Sequence, residues 1–417
     1  MQFICLMGFI LLSGTMVQAG PSINDTDTLM TDLLTNYNIN IRPVTDQSQA
    51  VNVKVSLYIK SIKEFNDVLE TFSFTGAVIK EWNDPRLVWN TADYNGIDTL
   101  VLTHDLIWFP EIILSSAATS KNTITQSWNK VRIYPNGDIY MLSANLIEST
   151  CAVDVKYYPF DTQNCEVAFF SLGYINTELT LTMDNNADFS LMKTNAVWDI
   201  VRGSRYLQVL PSGEMEIYFV VHLQRKSSYM VLNVLLPVLC LSLLNALVFL
   251  LIPESGERIG YCITTLLAIA VYMTIIADVL PQSSDPVPLI SYKLVTDLVG
   301  SALIVFVTII NMRIQNKPED QPVPNWLKSM FRCFYCAVCR QRTVSPSTLE
   351  LVEKNIHVTQ VCENKAKTCF NDDESESVTE GPSWKDISKM LDWIALVFFT
   401  SAALIGFTVF ICLIYFG

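Results

Sequence analysis

Four long apolar runs in the second half of the chain constrain its fold more than any other feature: Tyr229 to Ile252, Ile259 to Leu280, Leu289 to Met312 and Ile394 to Phe416. As a helix, each is long enough to cross about 30 Å of hydrocarbon. The 417-residue chain is therefore expected to be a multi-pass membrane protein, and its positive mean hydropathy and 50% apolar content agree. The runs divide it into residues 1–19, 20–225, 226–312, 313–390 and 391–417.

The first block, ending in Val17-Gln18-Ala19, has a short apolar core and small residues where a signal peptidase reads, so a signal peptide cleaved near Ala19 is expected. It lacks the usual basic start, and a retained anchor is the alternative. With a cleaved leader, four spans put both termini outside the cell. Arg313, Lys317, Lys328 and Arg332 then flank the third span on its cytoplasmic side, while the Pro281 to Pro288 link carries no Lys or Arg. Cys151 and Cys165 are the only cysteines between the leader and the first apolar run, and in an oxidising compartment this close pair is expected to be bridged. The sequon Asn24-Asp25-Thr26 makes Asn24 a glycosylation candidate. Between Gly20 and Gln224 there are 24 acidic against 13 basic residues, an anionic outer part that argues against nucleic acid and would concentrate cations near a pore.

From about Ser48 to Gln224 short alternating segments separated by turn residues predict a β-sandwich: VNVKVSLYI, FSFTGAVI, KVRIYPNGDIYML and EIYFVVHLQR. Asn136-Gly137 suits a tight hairpin, and Asp27 to Tyr37 reads as a short helix. In the 313–390 loop, PNWLKSMF reads as an amphipathic turn or two and NDDESESVTEGPS as disordered, whereas SWKDISKML reads as a capped helix entering the last span. Cys333, Cys336 and Cys339 do not match a common four-ligand zinc spacing, so no metal is assigned; juxtamembrane cysteines are more often lipidated or merely free. With three histidines, no nucleophile motif and no Gly-rich phosphate loop, neither an enzyme nor a cofactor is expected.

In ESGERIGYCITTLLAIAVYMTIIADVLP, Glu257, Gly260, Thr264, Leu267, Val271, Thr274 and Asp278 recur at steps of three and four, specifying one helix face. Acids at both ends would be costly in lipid, but five copies around an axis could wet that face; burial in a monomeric bundle is the alternative. This stretch resembles the pore-lining helix of nicotinic acetylcholine receptors. CAVDVKYYPFDTQNC, with Tyr-Pro-Phe-Asp inside a closed loop, resembles the signature of the Cys-loop family of pentameric ligand-gated ion channels. Trp82, Trp89, Trp108-Phe109-Pro110, Arg225 and Pro237 extend the resemblance.

The resemblance implies an extracellular β-sandwich domain plus a four-helix transmembrane bundle, in a homo- or hetero-pentamer at the plasma membrane. It makes Glu257 and Asp278 carboxylate rings, Leu267 and Val271 apolar gate rings, and Gly260, Thr264 and Thr274 pore-lining positions. Gly256-Glu257 before Arg258, where anion-selective relatives carry Pro-Ala, implies passage of monovalent cations. Tyr158, Pro159, Phe160 and Asp161, with Arg225, would meet the Pro281 to Pro288 link and couple binding to the gate.

The aromatic cage for a quaternary ammonium is largely absent. Ser115 stands for its first tyrosine, Leu172 for its tryptophan, and Leu207 and Glu214 for two more tyrosines, with Tyr206 one residue away. Trp82 survives on the complementary face, beside Tyr140 and Leu142. The implied function is a cation-selective subunit with a non-standard small-molecule agonist pocket, for which acetylcholine alone is a poor candidate. The alternative is a non-conducting subunit that works only in heteromers.

Overall fold

The computed structural model describes residues 20–120, 123–252, 256–278, 280, 286–318, 321–342 and 382–416. The leader and the polar stretch of the loop lie outside them. The chain divides into two compact units, the first ending at Lys226 and the second made of Val155–Asp161 with the residues from Ser227 onward.

The first unit opens with helix α1 (Ile23–Leu34), which starts four residues earlier than the expected Asp27. The reason is a cap. Asp25 N–H donates to Ser22 Oγ while the Asp25 carboxylate accepts from Ser22 N–H, satisfying two otherwise orphaned donors. Asn24 is exposed on its first turn, and Leu29 is fully buried.

Among the described residues ten strands follow: β1 (Val51–Asn66), β2 (Thr71–Val88), β3 (Leu100–Thr103), β4 (Ile112–Leu114), β5 (Lys130–Ile133), β6 (Asn136–Thr150), β7 (Thr162–Ser171), β8 (Leu179–Thr182), β9 (Trp198–Val209) and β10 (Met215–Arg225). They form a six-stranded sheet, β3-β5-β6-β2-β1-β8, and a four-stranded sheet, β4-β7-β10-β9. The alternation read in the sequence is the pleat itself: Val51, Val53, Val55, Leu57 and Ile59 of β1 are buried and the residues between them are not. Facing them across the core are Val167, Phe169, Ile217, Phe219 and Val221 of the smaller sheet. Pro85 has no N–H to give a ladder, and the register of β2 on β6 breaks between Asn83 and Val88. At the β5–β6 hairpin Gly137 has φ +83°, and a Cβ there would lie 2.5 Å from the Asp84 carbonyl oxygen, so both backbone and space require glycine. The Cys151–Cys165 disulfide is formed.

Lys80 of β2 is fully buried, donating to Thr125 Oγ1 at 2.7 Å and to the Pro110 carbonyl at 3.2 Å. Burial pushes its ammonium from an ordinary 10.5 down to about 8. Between these values the unfolded chain holds the proton more tightly, so Lys80 contributes stability that rises with pH across this window. The full span is on the order of 3 kcal/mol. Melting of the full-length protein should therefore show the wild type gaining on Lys80→Met from pH 8 to 10.5; parallel curves would remove the assignment.

Among the described residues of the second unit four helices are long and apolar enough to cross a membrane: α2 (Ser228–Leu250), α3 (Arg258–Ala277), α4 (Leu289–Gln315) and the last, within α6 (Trp384–Phe416). Helix α5 (Asn325–Arg342) lies between the third and fourth, an amphipathic helix much longer than the two turns read from PNWLKSMF. Ser383 caps α6 through Asp386, and the helix runs unbroken into the span. Where the helices meet, Arg258 is completely buried. Its guanidinium pairs with Asp392 of α6 and reaches the Val248 carbonyl of α2 at 3.2 Å, while Asn311 of α4 donates to the same carboxylate at 2.7 Å. One ion pair thus ties four helices at one level.

Candidate functional site

Helix α3 has two distinct faces. Arg258, Cys262, Thr265, Ile269 and Ile276 are buried against the other helices, with Thr265 Oγ1 donating to Asn245 Oδ1 of α2 at 3.0 Å. The seven residues singled out by spacing, Glu257, Gly260, Thr264, Leu267, Val271, Thr274 and Asp278, are all exposed. Leu267 and Val271 are 61% and 50% exposed, and Ile263 and Ile275 of the same helix are equally open, so this side of α3 is left uncovered by the helices around it. The Thr264 and Thr274 hydroxyls donate to the Gly260 and Val271 carbonyls at 2.8 and 2.7 Å, which leaves their oxygen lone pairs directed outward. At Gly260 an added Cβ would meet open space. A carboxylate, a small residue, a hydroxyl, two aliphatic levels, a second hydroxyl and a carboxylate thus follow one another along the stripe.

The tip of the disulfide loop belongs to the same unit. Tyr158, Pro159 and Asp161 are buried, Phe160 N–H donates to the Tyr157 carbonyl at 2.8 Å, and Leu289 N–H at the start of α4 donates to the Lys156 carbonyl at 3.0 Å. Residues 281–285 of the link expected to meet this tip lie outside the described residues. Arg225 belongs to the first unit, where it pairs with Asp67 at 2.8 Å and stacks on Trp198 at 4.2 Å.

The residues read as an agonist pocket fall on both sheets. Trp82, Tyr140 and Leu142 belong to the six-stranded sheet, where Tyr140 is half-buried and Leu142 exposed. The Trp82 indole is only 4% exposed and packs edge-on against Trp108 at 6.3 Å, so in this chain it is a core residue as much as a surface one. Ser115, Leu172, Tyr206 and Glu214 accompany the four-stranded sheet. Leu172 is exposed, and Glu214 accepts from Ser212 Oγ at 3.1 Å in the β9–β10 turn. Ser115 and Tyr206 are joined by two residues that sequence reasoning passed over. Glu216 accepts from Ser115 Oγ through one oxygen and from the Tyr218 hydroxyl at 2.5 Å through the other, and the Tyr206 and Tyr218 rings stack at 4.3 Å. Burial, then the Glu166 and Glu216 carboxylates, push the Tyr206 phenol up to about 12; Tyr218 is raised for the same reasons.

Residues 26–227 match the family model described as the neurotransmitter-gated ion-channel ligand binding domain, and residues 234–348 match the neurotransmitter-gated ion-channel transmembrane region. The chain belongs to the neurotransmitter-gated ion-channel family. It is similar to acetylcholine receptor subunit beta-like 1 of Drosophila melanogaster, 31% identical over 77% of this chain and 63% of the fly protein. Neuronal acetylcholine receptor subunit alpha-2 of Gallus gallus is 28% identical over 78% of this chain and 62% of its own length. For neuronal acetylcholine receptor subunit beta-4 of Homo sapiens the values are 30%, 75% and 63%. The chain thus spans about three-fifths of the length of the curated relatives it matches.

Membership in this channel family, which is not a family of enzymes, together with four spanning helices, makes the chain a multi-pass plasma-membrane protein with an extracellular N-terminal domain. The signal for the overlooked pair was present in EIYFVVHLQR. Period two puts Glu216 and Tyr218 on one face of β10, opposite Tyr206 across the ladder. Counting only toward the family's aromatic positions hid it.

Proposed function

We propose that this chain is a subunit of a cation-selective, ligand-gated pentameric channel whose pore is lined by the exposed face of α3. The observation that carries the reading is that all seven spaced residues lie on that face and are exposed, while the other face is packed. Five copies of Glu257 would form a carboxylate ring at the inner end and Asp278 another at the outer end, each attracting cations and repelling anions. Leu267 and Val271 would close the path by dewetting. An agonist bound in the extracellular part would open the pore by binding the open state more tightly than the closed one.

The resemblance to acetylcholine receptor subunits suggests an amine-like agonist, but the pocket chemistry differs. Where an all-aromatic cage is expected, this chain has a carboxylate held by Ser115 and Tyr218 beside a stacked tyrosine pair, and an exposed Leu172. The agonist is therefore a small molecule other than acetylcholine alone. The missing cage also favours one further reading, a subunit that contributes a binding face only in heteromers and does not conduct by itself.

Ion replacement tests both. With the gate opened by Leu267→Ser, the reversal potential should follow sodium and ignore chloride, and adding Glu257→Lys should move it toward the chloride potential. Pentamers of this chain at the surface that pass no current would favour the heteromer reading. A wild-type pore selective for chloride would overturn the role of Glu257.

A further inference from the structure

The outer half of α2 is not a regular α-helix. Val231–Leu235 form a π turn in which Leu236 N–H donates five residues back to the Val231 carbonyl. The next residue is Pro237, which has no N–H and whose ring crowds the carbonyl four residues before it. That carbonyl belongs to Asn233. Inside a membrane a backbone oxygen without a donor is costly, so a broken ladder must be completed from elsewhere. Here the donor comes from another helix: the Tyr272 hydroxyl of α3 donates to the Asn233 carbonyl oxygen. Tyr272 directly follows Val271 of the exposed stripe, and its hydroxyl is the one polar atom it can offer across to α2.

We infer that Tyr272 is a positioning residue, its phenol latching the pore helix to the carbonyl that Pro237 frees in the first span. This rests on the pore reading above. Because the acceptor is a fixed backbone atom, the latch registers both the height and the rotation of α3. A rotation that carries Leu267 and Val271 away from their present direction must break it, leaving the Asn233 oxygen without its donor. A phenylalanine at this place would pack equally well but would register nothing.

The inference is tested by a double-mutant cycle. Tyr272→Phe removes the donor, whereas Pro237→Ala supplies a backbone N–H that can take the Asn233 carbonyl within α2. In the Leu267→Ser background, Tyr272→Phe should change the ratio of open to closed channel by about fivefold for each subunit that carries it, the usual worth of one net hydrogen bond. In the presence of Pro237→Ala the same substitution should change it less than twofold per subunit, because the carbonyl no longer depends on Tyr272. A purely packing role predicts equal effects in both backgrounds, and that result would overturn the latch.

A second readout does not need current. In purified full-length protein, the rate of thiol modification of Thr274→Cys should change on Tyr272→Phe and should return toward the parent value when Pro237→Ala is added. If no variant conducts but the rates follow this pattern, the pore reading has failed and the latch stands. If the channel conducts and neither measurement depends on Pro237, the latch has failed and the pore reading stands.

Discussion

Cells expressing Leu267→Ser should carry a standing current without any agonist, with a reversal potential that shifts with sodium and ignores chloride, and abolished by replacing the external and internal monovalent cations with a large impermeant one. The side chain is 61% exposed at the middle of α3, almost opposite the buried Thr265 and Ile269 round the helix. If five such side chains face one another, the narrow path between them excludes water because leucine offers it no hydrogen bond. Serine removes an apolar preference on the order of 2 kcal/mol per copy. Repeated in every subunit, this is enough to move a closed-to-open equilibrium by orders of magnitude. Leu267→Ile, which keeps the aliphatic surface, should leave the pore shut at rest. Equal leak from both, or none from either with pentamers at the surface, would remove Leu267 from the gate.

The second large effect is expected at the inner end of the bundle. Asp392→Ala leaves the fully buried Arg258 guanidinium without its carboxylate and leaves Asn311 Nδ2 with only the Ser388 carbonyl as acceptor. Removing one partner of a buried pair typically costs about 3–5 kcal/mol, a large share of a domain's net stability. The variant should be retained inside the cell, with surface protein reduced at least tenfold by biotinylation. Replacing both charges by apolar residues of similar size, Arg258→Met with Asp392→Leu, should restore much of the surface population, because the penalty belongs to the unpaired charge. If Asp392→Ala reaches the surface normally, the pair contributes nothing to the bundle.

How much could be read beforehand depended on the range of the interaction. The four spans were legible because length and apolarity are properties of contiguous residues, and the strands because burial alternates along a pleat, as at Val51 to Ile59. The stripe on α3 was legible for the same reason, being a periodicity within one helix. Partnerships between distant segments were not. Nothing in the chain announces that Arg258 meets Asp392, 134 residues later, or that the Tyr272 phenol finds the Asn233 carbonyl. The early start of α1 depended on recognising Ser22 and Asp25 as a reciprocal cap, a local signal that was overlooked. In the extracellular unit, Ser115 was found by counting and Glu216 was missed, although the two are hydrogen-bonded, because counting reports which residue replaces an expected one and says nothing about the group that has moved in beside it.

The entrance to α6 has one more consequence. Trp384 donates its indole N–H to the Gln321 carbonyl at 2.9 Å and lies under the Lys317 ammonium at 4.3 Å, while Leu327 and Val323 pack against Ile387. The two ends of the segment between the third and fourth spans are thereby stapled at a common base, so the length of chain inserted between them is a free parameter of the architecture. Doubling a loop closed in this way costs only about 0.6 kcal/mol in closure entropy. An insertion between the two ends is therefore expected to leave the packing of Val323, Leu327, Trp384 and Ile387 as it is, whatever its size.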